Sequence, residues 1–196
     1  MELKEKILSF DNFQKFLFWL PKIQPFVLET GRPPMSADIF AFLYKLMFYC
    51  ALRPDEALKL KKSDFIISEQ ILLVNTSRKN KIEKTTIPPV ILGDVKKILK
   101  NLHPNDYIFT STQTKEKITR QIPWVYAKDA GNLAGINVFQ VTEKHEIKGM
   151  SLLLFRESFN QFLSEKKAEK GLIDLKFRNR TTSHYGNYDL NDLKKI

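Results

Sequence analysis

Two separated arginines, a lysine-bearing polar run and a late tyrosine have side chains suited to chemistry on a phosphodiester. Arg53 and Arg156 stand far apart, the run over residues 77–81 lies between them with Lys79 and Lys81, and Tyr185 comes near the C-terminus. An arginine fork matches phosphate oxygens and stays charged, and a tyrosine phenol can attack phosphorus as a nucleophile. Two arginines, a lysine and a late tyrosine are the parts needed to attack a DNA phosphate without a metal.

The charge balance favours a polyanionic partner. The 196 residues include 32 Lys and Arg against 22 Asp and Glu, which gives a net charge of +10. An excess of this size is typical of proteins that bind nucleic acid, and we expect double-stranded DNA. A merely basic protein without such a partner is the alternative. The hydrophobic fraction of 43% is ample for a core.

Cysteine and histidine usage excludes other classes. Cys50 lies in an apolar run and is predicted to be a buried thiol, which excludes an internal disulfide and fits a reducing interior. Three histidines and one cysteine show no ligand spacing, so no metal or other cofactor is predicted. No run reaches the about 20 apolar residues of a membrane span, and no signal peptide is visible. We therefore expect an intracellular protein.

The sequence predicts a mainly α fold with one small antiparallel β-sheet, an α+β arrangement. Residues 1–35 read as a short N-terminal helical arm, separated by Gly31-Arg32-Pro33-Pro34 from a domain over residues 36–196. A helix capped by Ser36 or Asp38 runs to about Cys50, and another covers residues 54–62. Pro54 suits the first turn of that helix, where a missing N–H costs nothing.

Two strand-like runs follow these helices, at residues 66–75 and 85–90, with a polar hairpin between them. Helices are then predicted over residues 92–102 and 122–134. Residues 137–149 read as irregular or extended. A long amphipathic helix covers residues 151–170, and short helices carry Tyr185 and Tyr188.

Three motifs in one order resemble the catalytic domain of tyrosine recombinases, the phage-type integrases. Arg53, Glu56 and Leu60 fill the first box, in which an apolar helix precedes Gly/Ala-Leu-Arg-x-x-Glu-x-x-x-Leu. The second box is His-x-x-Arg with Phe three and Leu seven residues later. Arg156, Phe159 and Leu163 match the Arg, Phe and Leu of this box. The pattern Thr-Thr-x-x-Tyr ends at Tyr185. The match covers roughly residues 36–188.

The resemblance implies a role for each matching residue. Arg53 and Arg156 would clamp the phosphate, with Glu56 as structural support. Tyr185 would be the nucleophile that forms a 3′-phosphotyrosyl DNA intermediate. The hairpin lysine of the family would be Lys79, or Lys81 as the alternative, acting as general acid. A site-specific recombinase of this kind works on double-stranded DNA as a homo-oligomer, a tetramer, in the cytoplasm or nucleoid of a prokaryotic host.

The chain also departs from the family pattern. Leu153 occupies the position of the second-box histidine, and the later His/Trp position aligns loosely with Lys176 or Phe177. Divergent integrases of archaeal viruses and plasmids tolerate such changes, which suggests that origin. His184, next to Tyr185, is a candidate auxiliary site residue that could substitute for a missing histidine. The family's N-terminal core-binding domain is too long for residues 1–35. We therefore expect either a catalytic fragment or a protein that clamps DNA with a smaller N-terminal segment.

Two other functions are compatible with the sequence. A catalytically degenerate relative would bind DNA as a regulator without cutting it, as Leu153 suggests. An unrelated basic helical nucleic-acid-binding domain would match the motifs by chance, and would hold Arg53, Arg156 and Tyr185 far apart. Tyr188 competes with Tyr185 as nucleophile, although only Tyr185 has the Thr-Thr pair at the right offset.

Overall fold

Six α-helices and five short strands are the main elements in the described part of the chain. A computed structural model describes residues 8–23, 35–76, 81–112, 115–136, 139–141, 146–148 and 150–165. The helices are α1 (Phe10–Trp19), α2 (Ala37–Tyr49), α3 (Pro54–Ala57), α4 (Pro89–Leu99), α5 (Gln121–Leu133) and α6 (Leu152–Glu165). The strands are β1 (Phe65–Ile66), β2 (Ile71–Thr76), β3 (Lys81–Thr86), β4 (Phe139–Val141) and β5 (Glu146–Lys148). The predicted fold class is confirmed.

An aromatic core joins three helices that are distant in sequence. Phe13 of α1 stacks on Phe48 of α2 with ring centroids 4.2 Å apart. Phe155 of α6 lies 4.9 Å from the ring of Tyr44 and 5.1 Å from that of Phe16. Such offset and tilted contacts add to the energy of burying the rings. Helix α1 therefore shares the core of the helices that follow it, while a domain boundary at residue 35 stays a prediction.

Helix α2 carries the predicted buried thiol and ends close to the predicted position. Ser36 is its N-cap residue and Cys50 its C-cap residue. Cys50 is fully buried, as predicted. Pro54 occupies the first turn of α3, also as predicted. Helix α3 is much shorter than the predicted helix over residues 54–62, because the Leu60 carbonyl accepts the N–H of Ile108 and the chain turns into an extended segment.

The first sheet is antiparallel in the order β1-β2-β3. The predicted single strand over residues 66–75 is wrong in part, because a 3₁₀ turn at Ile67–Glu69 and left-handed Gln70 separate β1 from β2. The second predicted strand, over residues 85–90, also ends early. Thr86 closes β3, and Pro89 begins α4, three residues before the helix predicted from residue 92.

The second sheet was not predicted. Strands β4 and β5 pair antiparallel, with Phe139 opposite Lys148 and Val141 opposite Glu146. They lie within residues 137–149, for which the sequence indicated only irregular or extended structure. Three-residue strands carry too little alternation to be recognised, because their stability comes from pairing with each other. In the ranges described, no helix combines the length and apolar character needed to cross a membrane.

Candidate DNA-cleavage site

The turn between α2 and α3 presents Arg53. Its backbone N–H donates to Glu56 Oε2 at 2.8 Å, and its Nη1 donates to Glu56 Oε1 at 3.2 Å. Glu56 is 3% exposed, whereas the Arg53 side chain is 46% exposed. The buried carboxylate thus both caps the first turn of α3 and orients the guanidinium. Arg53 and Glu56 thus form a structural ion pair, and the arginine still faces solvent.

Arg156 reaches the same turn from the other end of the sequence. Its Nη1 donates to the backbone carbonyl of Ala51 at 2.5 Å. Arg156 is only 7% exposed, so it is a buried residue of α6 and not a surface arginine. Since Ala51 is two residues before Arg53, the two arginines of the predicted clamp belong to one local arrangement.

Ala51 is the residue that sequence reasoning missed. It follows the C-cap of α2 with a φ of +52°, in the left-handed region that non-glycine residues rarely adopt. Helices commonly end with such a residue, usually glycine. The reversal turns the Ala51 carbonyl toward Arg156. A Gly/Ala position immediately before Leu-Arg was the signal available in the sequence.

Helix α6 holds Arg156 by its buried face. Phe155 and Phe159 of the same helix are buried in the core. Ser158 Oγ accepts the backbone N–H of Leu8 at 2.9 Å, which ties the N-terminal segment to α6. Arg156 is therefore fixed by packing on α1 and α2 as well as by its bond to Ala51. Leu153, one turn earlier on α6, is half-buried.

The remaining predicted site residues are only partly covered. Lys81 opens β3 opposite Thr76 and is exposed. Lys79 lies outside the described residues, and so do His184, Tyr185 and Tyr188. The structure brings Arg53, Glu56 and Arg156 together. Within the described ranges, no group of three His, Cys, Asp or Glu side chains could hold a metal.

The arrangement suits one kind of chemistry. Guanidinium groups can offer parallel N–H donors to phosphate oxygens, and this turn gathers two of them. Arg53 is accessible to a ligand, and buried Arg156 is rigid. Such preorganised donors stabilise charge that develops on oxygen during displacement at phosphorus.

Comparison with known proteins agrees with this geometry. The sequence model of the Phage integrase family matches residues 33–168. No curated protein sequence matches the chain significantly. Solved structures do: XerH site-specific recombinase bound to difH substrate shares 22% identity, with a TM-score of 0.64 over 97% of this chain and 49% of that one. XerA recombinase shares 16% identity, with a TM-score of 0.67 over 100% of this chain and 65% of that one.

The lambda integrase catalytic core defines the fold most directly. It shares 15% identity and a TM-score of 0.58, and the alignment covers 91% of this chain and 95% of that one. The fold is thus that of a tyrosine-recombinase catalytic core. Because the family match spans most of its length, the chain belongs to the phage integrase family. It spans about half the length of the XerH structure.

Proposed function

We propose that the chain is the DNA breaking and rejoining domain of a site-specific tyrosine recombinase. The observation that carries this proposal is the bond from Arg156 Nη1 to the Ala51 carbonyl, which brings the second-box arginine to the turn of Arg53. Chance motif matches in an unrelated fold would not produce this meeting. Membership of the phage integrase family supports the same function.

Arg53 and Arg156 act as the phosphate clamp. A phosphodiester is already anionic, and the transition state places more charge on its non-bridging oxygens. Two fixed guanidinium groups stabilise that added charge. Removing one donor from a site of this kind costs about 3 kcal/mol, or roughly two orders of magnitude in rate. Glu56 supports the clamp because it holds both the backbone and the side chain of Arg53.

Tyr185 and Lys79 complete the proposed reaction. The phenol of Tyr185 releases its proton to solvent as its oxygen attacks phosphorus, the bond to the 5′-oxygen breaks, and Lys79 donates a proton to that leaving oxygen. Lys81 is the alternative acid. The products are a 3′-phosphotyrosyl link and a free 5′-hydroxyl. Because the link retains the bond energy, attack by a second 5′-hydroxyl reseals DNA without ATP, and no cofactor takes part.

Double-stranded DNA is the proposed partner, with a tetramer as the working assembly. XerH is described as bound to difH substrate, and lambda integrase as a dimer bound to a COC′ core site. The net charge of +10 suits the same ligand. By resemblance to the family, the tail over residues 189–196 is proposed to dock on a neighbouring subunit, with Leu190 and Leu193 as its apolar contacts. An archaeal-virus origin and a nucleoid location stay predictions.

Covalent trapping tests the proposed chemistry. The protein is incubated with supercoiled plasmid and with nicked duplex substrates, quenched with SDS, and examined for DNA-linked protein. We expect an adduct that Tyr185→Phe abolishes and Tyr188→Phe retains. An adduct that persists in Tyr185→Phe and disappears in Tyr188→Phe would move the nucleophile to Tyr188. No adduct from any substrate would contradict a cutting enzyme.

A DNA-binding regulator that does not cut is the second candidate. Leu153 favours it, because an apolar side chain on α6 replaces an imidazole that could move a proton or donate to the phosphate. This candidate predicts sequence-specific binding that Tyr185→Phe leaves unchanged, without adduct. Leu153→His separates the two functions further, because a gain of cleavage would show that the histidine alone was missing.

A further inference from the structure

A second basic group lies on the surface at Tyr107. Lys61 and Tyr107 form an antiparallel bridge, and Thr110 forms another with Lys117. The N–H of Lys62 donates to Asp106 and that of Ile108 to Leu60, so Lys61 and Tyr107 face each other as a non-hydrogen-bonded pair. Side chains of such a pair stand on the same face and close together. We call Lys61, Tyr107 and Lys117 the tyrosine patch.

Both ammonium groups of the tyrosine patch lie over one ring. Lys61 Nζ is 4.9 Å and Lys117 Nζ is 5.7 Å from the centroid of Tyr107. The Tyr107 ring is 38% exposed, and Lys117 is exposed. Cation–π attraction at exposed sites is weak compared with an ion pair to phosphate. The ring thus orders two flexible lysines on the surface without neutralising them.

The carboxylates nearest in sequence accept backbone hydrogen bonds. Asp64 Oδ2 accepts the backbone N–H of Lys61 at 2.7 Å and also attracts the Lys61 ammonium, whereas Asp106 Oδ2 accepts the backbone N–H of His103 at 2.7 Å. Glu116 precedes Lys117 on an extended segment, where successive side chains point to opposite faces. Of the ion pairs in the described ranges, none includes Lys61 or Lys117. The two like charges repel each other, and an anion placed between or beside them relieves that repulsion.

We infer that the tyrosine patch binds the phosphate backbone of duplex DNA away from the phosphate that reacts. Ammonium groups contact backbone phosphates as point charges, and the Tyr107 hydroxyl adds a donor. This inference rests on the proposed function, which supplies duplex DNA as the ligand. The three residues strengthen DNA binding and take no part in the cleavage reaction. No base is read, so the contact is independent of DNA sequence.

Salt-dependent DNA binding tests the tyrosine patch. Binding of the full chain to a fluorescent duplex is measured by anisotropy between about 50 and about 200 mM salt, because each phosphate contact adds about 0.9 to the slope of log K against log salt. Lys61→Gln with Lys117→Gln is compared with Lys45→Gln and Lys97→Gln. Each double variant removes two positive charges. The control lysines already pair with Asp94 and Asp38, which makes them poor candidates for phosphate contacts.

We expect the patch double to flatten the slope by about 1 to 2 and the control double to leave it nearly unchanged. Tyr107→Leu should weaken binding, whereas Tyr107→Phe, which keeps the ring, should weaken it less. Thermal unfolding of each variant separates a local change from misfolding. Equal slopes for the two doubles, with normal binding by the unaltered protein, would overturn the patch and leave the proposed function intact.

Adduct formation at saturating DNA distinguishes the two proposals. The patch double should form as much phosphotyrosyl adduct as the unaltered protein once DNA is in excess. A lower yield at saturation would contradict a role in affinity alone. A flattened slope combined with no adduct from the unaltered protein would support the patch and overturn the cutting reaction. Absence of any DNA binding would overturn both.

Discussion

The guanidinium of Arg156 donates to the backbone carbonyl of Ala51 across 2.5 Å, although the two residues lie 105 positions apart. The bond depends on the left-handed backbone of Ala51, whose φ is +52°. A side chain in this region adds strain of about 1–3 kcal/mol, and a β-branched one is the least tolerated. The position of Arg156 beside Arg53 is therefore sensitive to the residue at position 51.

Ala51→Val should lower the free energy of unfolding by about 2 kcal/mol, because valine resists a positive φ. Ala51→Gly is the matched control, since glycine adopts this backbone freely and keeps the carbonyl. Denaturant unfolding measures both. Equal stability of the valine and glycine variants would show that the turn does not constrain residue 51.

Arg156→Lys should slow cleavage about a hundredfold at saturating DNA, because lysine cannot reproduce the fork or its bond to Ala51. Single-turnover adduct formation on a nicked substrate measures the rate. Arg120→Lys, at an exposed arginine before α5, is the control and should cleave normally at saturation. A rate unchanged in Arg156→Lys would remove Arg156 from the proposed clamp.

Glu56→Ala should destabilise the protein by about 2 kcal/mol, because two N–H groups of Arg53 lose a buried charged acceptor. Asp55→Ala, at an exposed neighbour, should change stability by less than about 0.5 kcal/mol. Glu56→Gln keeps an acceptor and should fall between them. Thermal unfolding orders the three variants, and equal effects of the two alanine changes would contradict a supporting role for Glu56.

Two glycines inside helices should respond in opposite directions to alanine. A Cβ at Gly93 in α4 meets nothing within 4 Å, so Gly93→Ala should stabilise the protein by about 0.5–1 kcal/mol through helix propensity. At Gly131 in α5, a Cβ would lie 2.5 Å from Sδ and 2.9 Å from Cγ of buried Met150.

Gly131→Ala should therefore destabilise the protein by about 1–3 kcal/mol, because overpacking displaces Met150. Equilibrium unfolding of the two variants side by side checks the contrast. A gain in stability at both positions would mean that Met150 moves away without cost.

Tyr44 should make the protein sensitive to alkali. Burial raises the pKa of its phenol well above the ordinary value of 10.0, with smaller contributions from Tyr126 and Asp129. A raised native pKa means that the unfolded chain releases this proton first, so stability is intact below pH 10 and declines as pH rises beyond it.

Tyr44→Phe removes the hydrogen bond that the Tyr44 hydroxyl donates to the Pro123 carbonyl. The free energy of unfolding at neutral pH should fall by about 1 kcal/mol. Above pH 10, its stability should decline less steeply than that of the unaltered protein. Urea unfolding at several pH values compares the two slopes. Parallel slopes would show that Tyr44 does not contribute to alkaline unfolding.

Sequence alone determined the features that depend on neighbouring residues. Pro54 predicted the start of α3, and the apolar run around Cys50 predicted a buried helix. The types and order of the arginines, lysine and tyrosine led to the phage integrase family, which is confirmed. These inferences succeeded because helix initiation, burial and side-chain chemistry are set by local residue types.

Only the tertiary structure decided which distant groups meet. Helix α3 ends early because Leu60 bonds to Ile108, and β4 exists because β5 pairs with it. Arg156 reaches the turn of Arg53 because α6 packs on α1 and α2 and Ala51 reverses the backbone. Each outcome depends on hydrogen bonds and packing between segments far apart in sequence, which no local pattern records.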